Sequence, residues 1–142
     1  MANEIGITTQ LNWARGGASI VVKVSGKEDQ IGTTAIENVQ VIGAASEIIS
    51  LGDVTDPSHL FFKNETKPWS LLTNAEKLPF VTQANYDAAN TVNLGTTSPV
   101  TAGNATIRLK PQQGQPLINP LAAWYGINSG TDIDLLVAAI QR

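Results

Sequence analysis

Apolar positions along this chain recur mostly at every second residue, the spacing of half-buried strands. In "GITTQLNW" Ile5, Ile7, Thr9 and Leu11 share one face. Ala14-Arg15-Gly16-Gly17 reads as a turn, and "ASIVVKVSG" follows with Ile20, Val21, Val22 and Val24, β-branched residues that suit a pleated surface. After the polar turn "SGKEDQIG", the segment "TTAIENVQVIG" sets Ile36, Gln40 and Ile42 on one parity and Val39 with Val41 on the other. That mixture predicts a strand with a bulge. "SEIISLGDVTDP" predicts a further strand, closed by Gly52-Asp53 and an Asp-Pro turn.

"HLFFKNETKPWSLL", residues 59–72, predicts a hairpin. Leu60 to Lys63 form its first strand and Asn64 to Lys67 its turn. Asn64 suits a turn because its side chain bonds nearby backbone. The return strand starts at Pro68, where the missing N–H breaks no ladder. Alternation puts Phe61 or Phe62, but not both, toward the core. Residues 74–104 have no regular period, and Pro79 limits any helix there to about one turn. "ATIRLKP" and "QPLINP" predict the next strand pair, around a Gln-Gln-Gly turn, and "LAAWYGIN" follows.

The last segment, "TDIDLLVAAIQR", fits two periods. Ile133, Leu136, Val137 and Ile140 make a helical stripe, with Thr131 as cap. Ile133, Leu135, Val137 and Ala139 alternate as a strand. The all-β setting selects a strand buried on both faces. Seven to nine short strands with Gly, Pro and Asn punctuation predict an all-β chain, an antiparallel β-sandwich of jelly-roll type. The expectation is a single domain over 1–142, with an N-terminal arm at 1–10 and a long irregular insertion at 74–104.

Charge sharpens this picture. The net charge is −3 and spread along the chain, so no basic stripe offers itself to nucleic acid. Charged residues make up 15% of the chain, against about 25% in ordinary soluble domains. The deficit is local: Asp87 is the only charge from Val81 to Ile107, and none lies from Pro111 to Thr131. Interface cores are depleted in charge in the same way, so these stretches predict contact with other protein surfaces. There is no cysteine, hence no thiol chemistry or disulfide framework. Neither a signal-peptide pattern nor an apolar run of membrane length is visible, so no membrane partner is expected.

Candidate chemistry is thin. His59 is the only histidine. Asp53 and Asp56 lie close enough in sequence to orient it, but Ser58 should point to the opposite face of the strand. Asp132 and Asp134 would share a strand face about 7 Å apart, able to hold a hard cation only with other oxygens. Asn64-Glu65-Thr66 and Asn104-Ala105-Thr106 match the glycosylation acceptor pattern, and with no secretory signal neither is expected to be used. Catalytic, metal and cofactor-binding residues are therefore expected to be none, and the chain is not expected to be an enzyme. Trp13, Trp69, Trp124 and Tyr125 are the candidate contact residues, since aromatics anchor interfaces.

Leu51-Gly52-Asp53, Phe62-Lys63-Asn64, Leu109-Lys110-Pro111 with Gly114, and the apolar run Ile133 to Gln141 together resemble small structural proteins of tailed bacteriophage virions. The resemblance covers roughly residues 45–73 and 105–142. The Pro-Gly turn of that pattern is stretched here to Pro-Gln-Gln-Gly, and residues 74–104 are inserted. The resemblance implies a capsid cement or decoration protein, or a related virion component, expected as a trimer on the capsid shell with the major capsid protein as partner, and it does not specify the virion position. A carbohydrate- or receptor-binding sandwich is the alternative. It would stack sugars on Trp13, Trp69 or Trp124-Tyr125, with Asp132 and Asp134 holding calcium.

Overall fold

A computed structural model describes residues 4–15, 18–29, 34–118, 120–128 and 130–141; for 4–29 it describes the strands and their register. The chain forms two compact units, residues 1–33 and 34–142.

The first unit is one long antiparallel hairpin. Strand β1 (Glu4–Arg15) pairs with β2 (Ala18–Asp29) along its whole length, Arg15 opposite Ala18 and Glu4 opposite Asp29. Residues 4–10, expected as an arm, are thus the first half of β1. The register places Ile5, Ile7, Thr9, Leu11 and Trp13 on the same face as Ala18, Ile20, Val22 and Val24. The other face carries Thr8, Gln10 and Asn12 with Ser19, Lys23, Ser25 and Lys27.

The second unit is two four-stranded antiparallel sheets. In chain order its strands are β3 (Ala35–Ile42), β4 (Glu47–Ile48), β5 (Pro57–Asn64), β6 (Val92–Gly95), β7 (Ile107–Leu109), β8 (Gly114–Ile118), β9 (Tyr125–Asn128) and β10 (Ile133–Gln141). The first sheet has the order β3-β10-β5-β8 and the second β4-β9-β6-β7. The core lies between them. Ile42, Leu60, Phe62, Ile133, Leu135, Val137 and Ala139 come from the first sheet, and Val92, Leu94 and Leu109 from the second, with Ile49 and Trp124 beside it. Gly126 lets the sheets approach, since a Cβ there would meet Ile49 Cδ1 at 3.0 Å and Ile42 Cδ1 at 3.3 Å.

Several expectations hold. The chain is mostly β, in two sheets as a sandwich requires. The C-terminal segment is a strand, and a central one, paired with β3 on one side and β5 on the other. Its first face is fully buried; the second, with Leu136, Ala138 and Ile140, is only half-buried. Phe62 is wholly buried and Phe61 half-buried, as alternation requires.

Other expectations are overturned. Strand β3 has no bulge and pairs with β10 without a register shift, because Asn38 and Gln40 take the same parity as Ile36 and Ile42. The 59–72 segment is not a hairpin. Pro68 caps a 3-10 turn at Trp69–Leu71, with Leu71 N–H donating to Pro68 O, so no return strand forms. Nor do "ATIRLKP" and "QPLINP" pair with each other. β7 lies in the second sheet and β8 in the first, so the Lys110–Gln113 turn carries the chain between sheets. Residues 74–104 are more ordered than their sequence suggests. They contain helix α1 (Asn74–Lys77), helix α2 (Gln83–Ala89) and the fully buried strand β6.

Candidate interaction surfaces

Two local devices organise the segment between β5 and β6. Thr73 caps α1: its hydroxyl accepts from Glu76 N–H while Glu76 Oε2 accepts from Thr73 N–H at 2.6 Å, a reciprocal capping box. These bonds, joined by Lys67 Nζ at 3.1 Å, hold the Glu76 carboxyl down at about 2. Tyr86 is the buried anchor of α2. Its hydroxyl donates to Lys67 O, and burial, then the charges of Glu76 and Asp87, push its phenol above the ordinary value.

Aromatic rings gather around Tyr86. Phe80 meets it edge-on at 4.9 Å and Trp69 at 5.7 Å. The ammonium of Lys77 sits 5.3 Å from the Trp69 ring centroid, a cation over its face. This cluster supports three outward apolar side chains: Leu71 at 66% exposure, Leu78 at 76% and Val81 at 80%. Val81 also has φ of 64°, a left-handed conformation that is rare and strained for a β-branched residue. The sequence marked this stretch as charge-poor from Val81 onward, but not as a place of exposed apolar side chains.

Further exposed apolar side chains lie on the two edge strands of the first sheet, β3 and β8. The register brings Val39 and Val41 of β3 beside Leu136 and Asp134 of β10, and Ile118 of β8 beside His59 of β5. Val39, Val41 and Ile118 are each more than half exposed.

The four candidate contact aromatics separate. Trp124, expected at the surface, is 4% exposed and packs on Phe62 at 5.4 Å. Its indole N–H donates to Leu121 O. The core captures it because it immediately precedes β9 and closes the space beside Phe62. Tyr125 is half-buried, opposite Ile48 and Gly95. Trp69 is half-buried in the aromatic cluster. Trp13 lies on the hairpin's apolar-residue face, and its side-chain surroundings fall outside the described residues.

Titratable candidates lie on β5 and at the start of β10. Ser58 does reach His59, against the alternation argument: Oγ lies 3.0 Å from His59 Nδ1. The register passes from His59↔Ile140 to Pro57↔Gln141, leaving Ser58 unpaired in a bulge that breaks alternation. The Ser58 hydroxyl proton goes to Ile140 O at 3.2 Å. A hydroxyl has one proton, so while Ser58 donates to Ile140 O the contact with His59 needs Nδ1–H as donor. Asp132 precedes β10 and Asp134 lies outward on it; both are exposed. Among the described residues, no three His, Asp or Glu side chains come together as a metal site would need.

Asn64 has a role that a turn assignment misses. It is fully buried at the end of β5. Its Nδ2 donates to Asn90 O at 2.8 Å and Leu109 O at 3.0 Å, and its Oδ1 accepts from Thr66 N–H at 3.0 Å. The last contact is the local bond expected of Asn in a turn. The first two tie the first sheet to β7 and to the entry of β6. The amide nitrogen of this glycosylation-pattern asparagine is thus enclosed and occupied.

No family model, curated protein or solved structure matches the chain.

Proposed function

We propose that the chain is a non-enzymatic structural protein of a tailed-phage virion. In this reading it is a capsid cement or decoration protein that assembles in the host cytoplasm, associates as a trimer and binds the major capsid protein at the capsid surface. The observation that carries the reading is the β1–β2 hairpin. It is a compact unit of two 12-residue strands, one face mainly apolar in residue type, with Thr9 within it and Arg15 and Glu28 at its ends. A two-stranded ribbon is marginal alone and needs a second layer on its apolar face. Copies of the same ribbon are the natural layer, since the middle of that face, from Ile7 to Trp13 and Ile20 to Val24, carries no charge to repel its like.

Strand order adds support. Counting the sandwich strands one to eight, the sheets run 1-8-3-6 and 2-7-4-5. Folding one long hairpin, with ladder pairs 1·8, 2·7, 3·6 and 4·5, into two layers yields this order. We read it as the jelly roll, an architecture used by viral capsid and lectin domains. Fold alone does not choose between those uses. The surfaces favour protein contact: Leu71, Leu78 and Val81 are exposed apolar side chains, whereas Trp124 is in the core and Trp69 carries Lys77 over its ring. A sugar-stacking site would need those ring faces open.

Sedimentation equilibrium of the full chain tests the reading. A species three times the chain mass, stable to dilution, is expected. A strict single-chain mass at all concentrations would count against it.

A further inference from the structure

We propose that the outer side of the second sheet carries a carboxylate-binding site built on Arg108, Lys110 and Asn93. A pocket of about 330 Å³ opens there, lined by Ala88, Thr91, Asn93, Ala102, Arg108, Lys110 and Gln113. Strand register makes it. Asn93 of β6 stands directly opposite Arg108 of β7, while their neighbours Val92, Leu94 and Leu109 face the core. Ala88 at the end of α2 and Ala102 supply small side walls.

The pocket is rich in donors. Arg108 gives one Nη2 hydrogen bond to Ala102 O and keeps its remaining N–H groups. Lys110 Nζ lies 3.7 Å from Asp87 Oδ2, beyond hydrogen-bond length, and its side chain is largely exposed. Gln113 spends its Oε1 on Lys110 N–H, which leaves its NH₂ available. Thr91 donates its hydroxyl to Asp87 O. Asn93 is the telling group. The residue is only 6% exposed, but its side-chain amide is not sealed from water and opens onto the pocket. Its NH₂ and carbonyl oxygen can therefore meet a ligand from the pocket.

Charge sets the ligand class. The pocket holds two cations, Arg108 and Lys110, and Lys110 has the Asp87 carboxylate beside it, leaving one net positive charge. A singly charged planar carboxylate matches that balance and the fork of a guanidinium better than a doubly charged phosphate does. The amide of Asn93 then reads the second oxygen or a neighbouring hydroxyl. This site is independent of the assembly reading, because its readout is a small molecule bound to a single chain.

Titration of the ¹⁵N-labelled full chain with glutarate, at constant ionic strength, tests it. The Asn93 and Gln113 side-chain amides and Arg108 Nε–H are expected to shift saturably, with Thr73 N–H unmoved. Arg108→Gln, at an exposed position, should weaken binding about tenfold or more, the usual worth of a charge-assisted pair. Asn93→Leu should weaken it as well. A capped glutamyl peptide is the second arm. Tighter binding of the peptide assigns the site to an acidic side chain of a partner, and tighter binding of glutarate assigns it to a small acid. Shifts that fail to saturate, that chloride reproduces, that survive Arg108→Gln, or that phosphate produces at lower concentration would overturn the proposal.

Discussion

Asn64→Leu should be among the most damaging single changes in the sandwich. The substitution keeps the side chain's size but removes its three hydrogen bonds. Two of the partners, Asn90 O and Leu109 O, belong to residues buried almost completely, so water cannot replace the lost donor. Each buried group left without a partner costs about 1–3 kcal/mol, giving about 2–6 kcal/mol for the pair. Thr66 N–H is only part-buried and can turn to water, so it adds little. The total is a large share of the ~5–15 kcal/mol that holds an ordinary domain together. In urea, where small domains show slopes of about 1–3 kcal/mol per molar, the midpoint should fall by about 1–3 M with the slope unchanged. Asn64→Asp should be worse near neutral pH, because it sets a carboxylate against two carbonyls, and should partly recover in acid as the carboxyl gains a proton to donate. An Asn64→Leu loss under about 0.5 kcal/mol, the range of surface substitutions, would refute Asn64 as the clip between the sheets.

Phe62→Ala should cost about 3–5 kcal/mol and red-shift the emission of Trp124, whereas Phe61→Ala should cost much less; equal losses in urea melts would contradict the one-in, one-out reading. Glu76 is held at about 2 in the fold against an ordinary value of 4.5. A lowered carboxyl stabilises the fold above its unfolded value and loses that contribution as pH falls toward 2. The Thr73 amide shift should therefore titrate near pH 2, and a midpoint above 4 would show that the capping box is open in solution. Leu11→Asp with Val22→Asp, a directly opposed pair on the hairpin, should abolish self-association while Trp124 emission stays buried; an unchanged oligomer by light scattering would remove the hairpin from the interface.

The legible parts of this fold were those fixed by local pattern. Alternation announced β1 and the strand from Leu60 to Lys63, and required that only one of Phe61 and Phe62 turn inward. The C-terminal run was readable only through its surroundings, since the residues from Ile133 to Ile140 taken alone fit a helix slightly better. What alternation missed was decided at a distance. Asn38 and Gln40 sit at inward positions of β3, so polarity masked its parity. Pro68 gave no sign that a 3-10 turn, rather than a strand, would follow. Strand β6 hides in "VNLG", four residues paired with β7 and β9 and buried by partners far away in sequence. The candidate surfaces were half readable. Charge depletion pointed to residues 81–107 and 111–131, but the exposed Leu71, Leu78 and Val81 emerge only when Tyr86 gathers its ring partners. Asn93 and Arg108 lie fifteen positions apart, and only their register makes them neighbours.

The central claim is that this chain binds a protein shell as an oligomer. Co-sedimentation with tailed-phage capsids stripped of their decoration protein tests it most directly. The account predicts saturable pelleting of the full chain at a fixed number of copies per capsid, lost in the Leu11→Asp, Val22→Asp variant. A chain that stays in the supernatant with every such shell would contradict it.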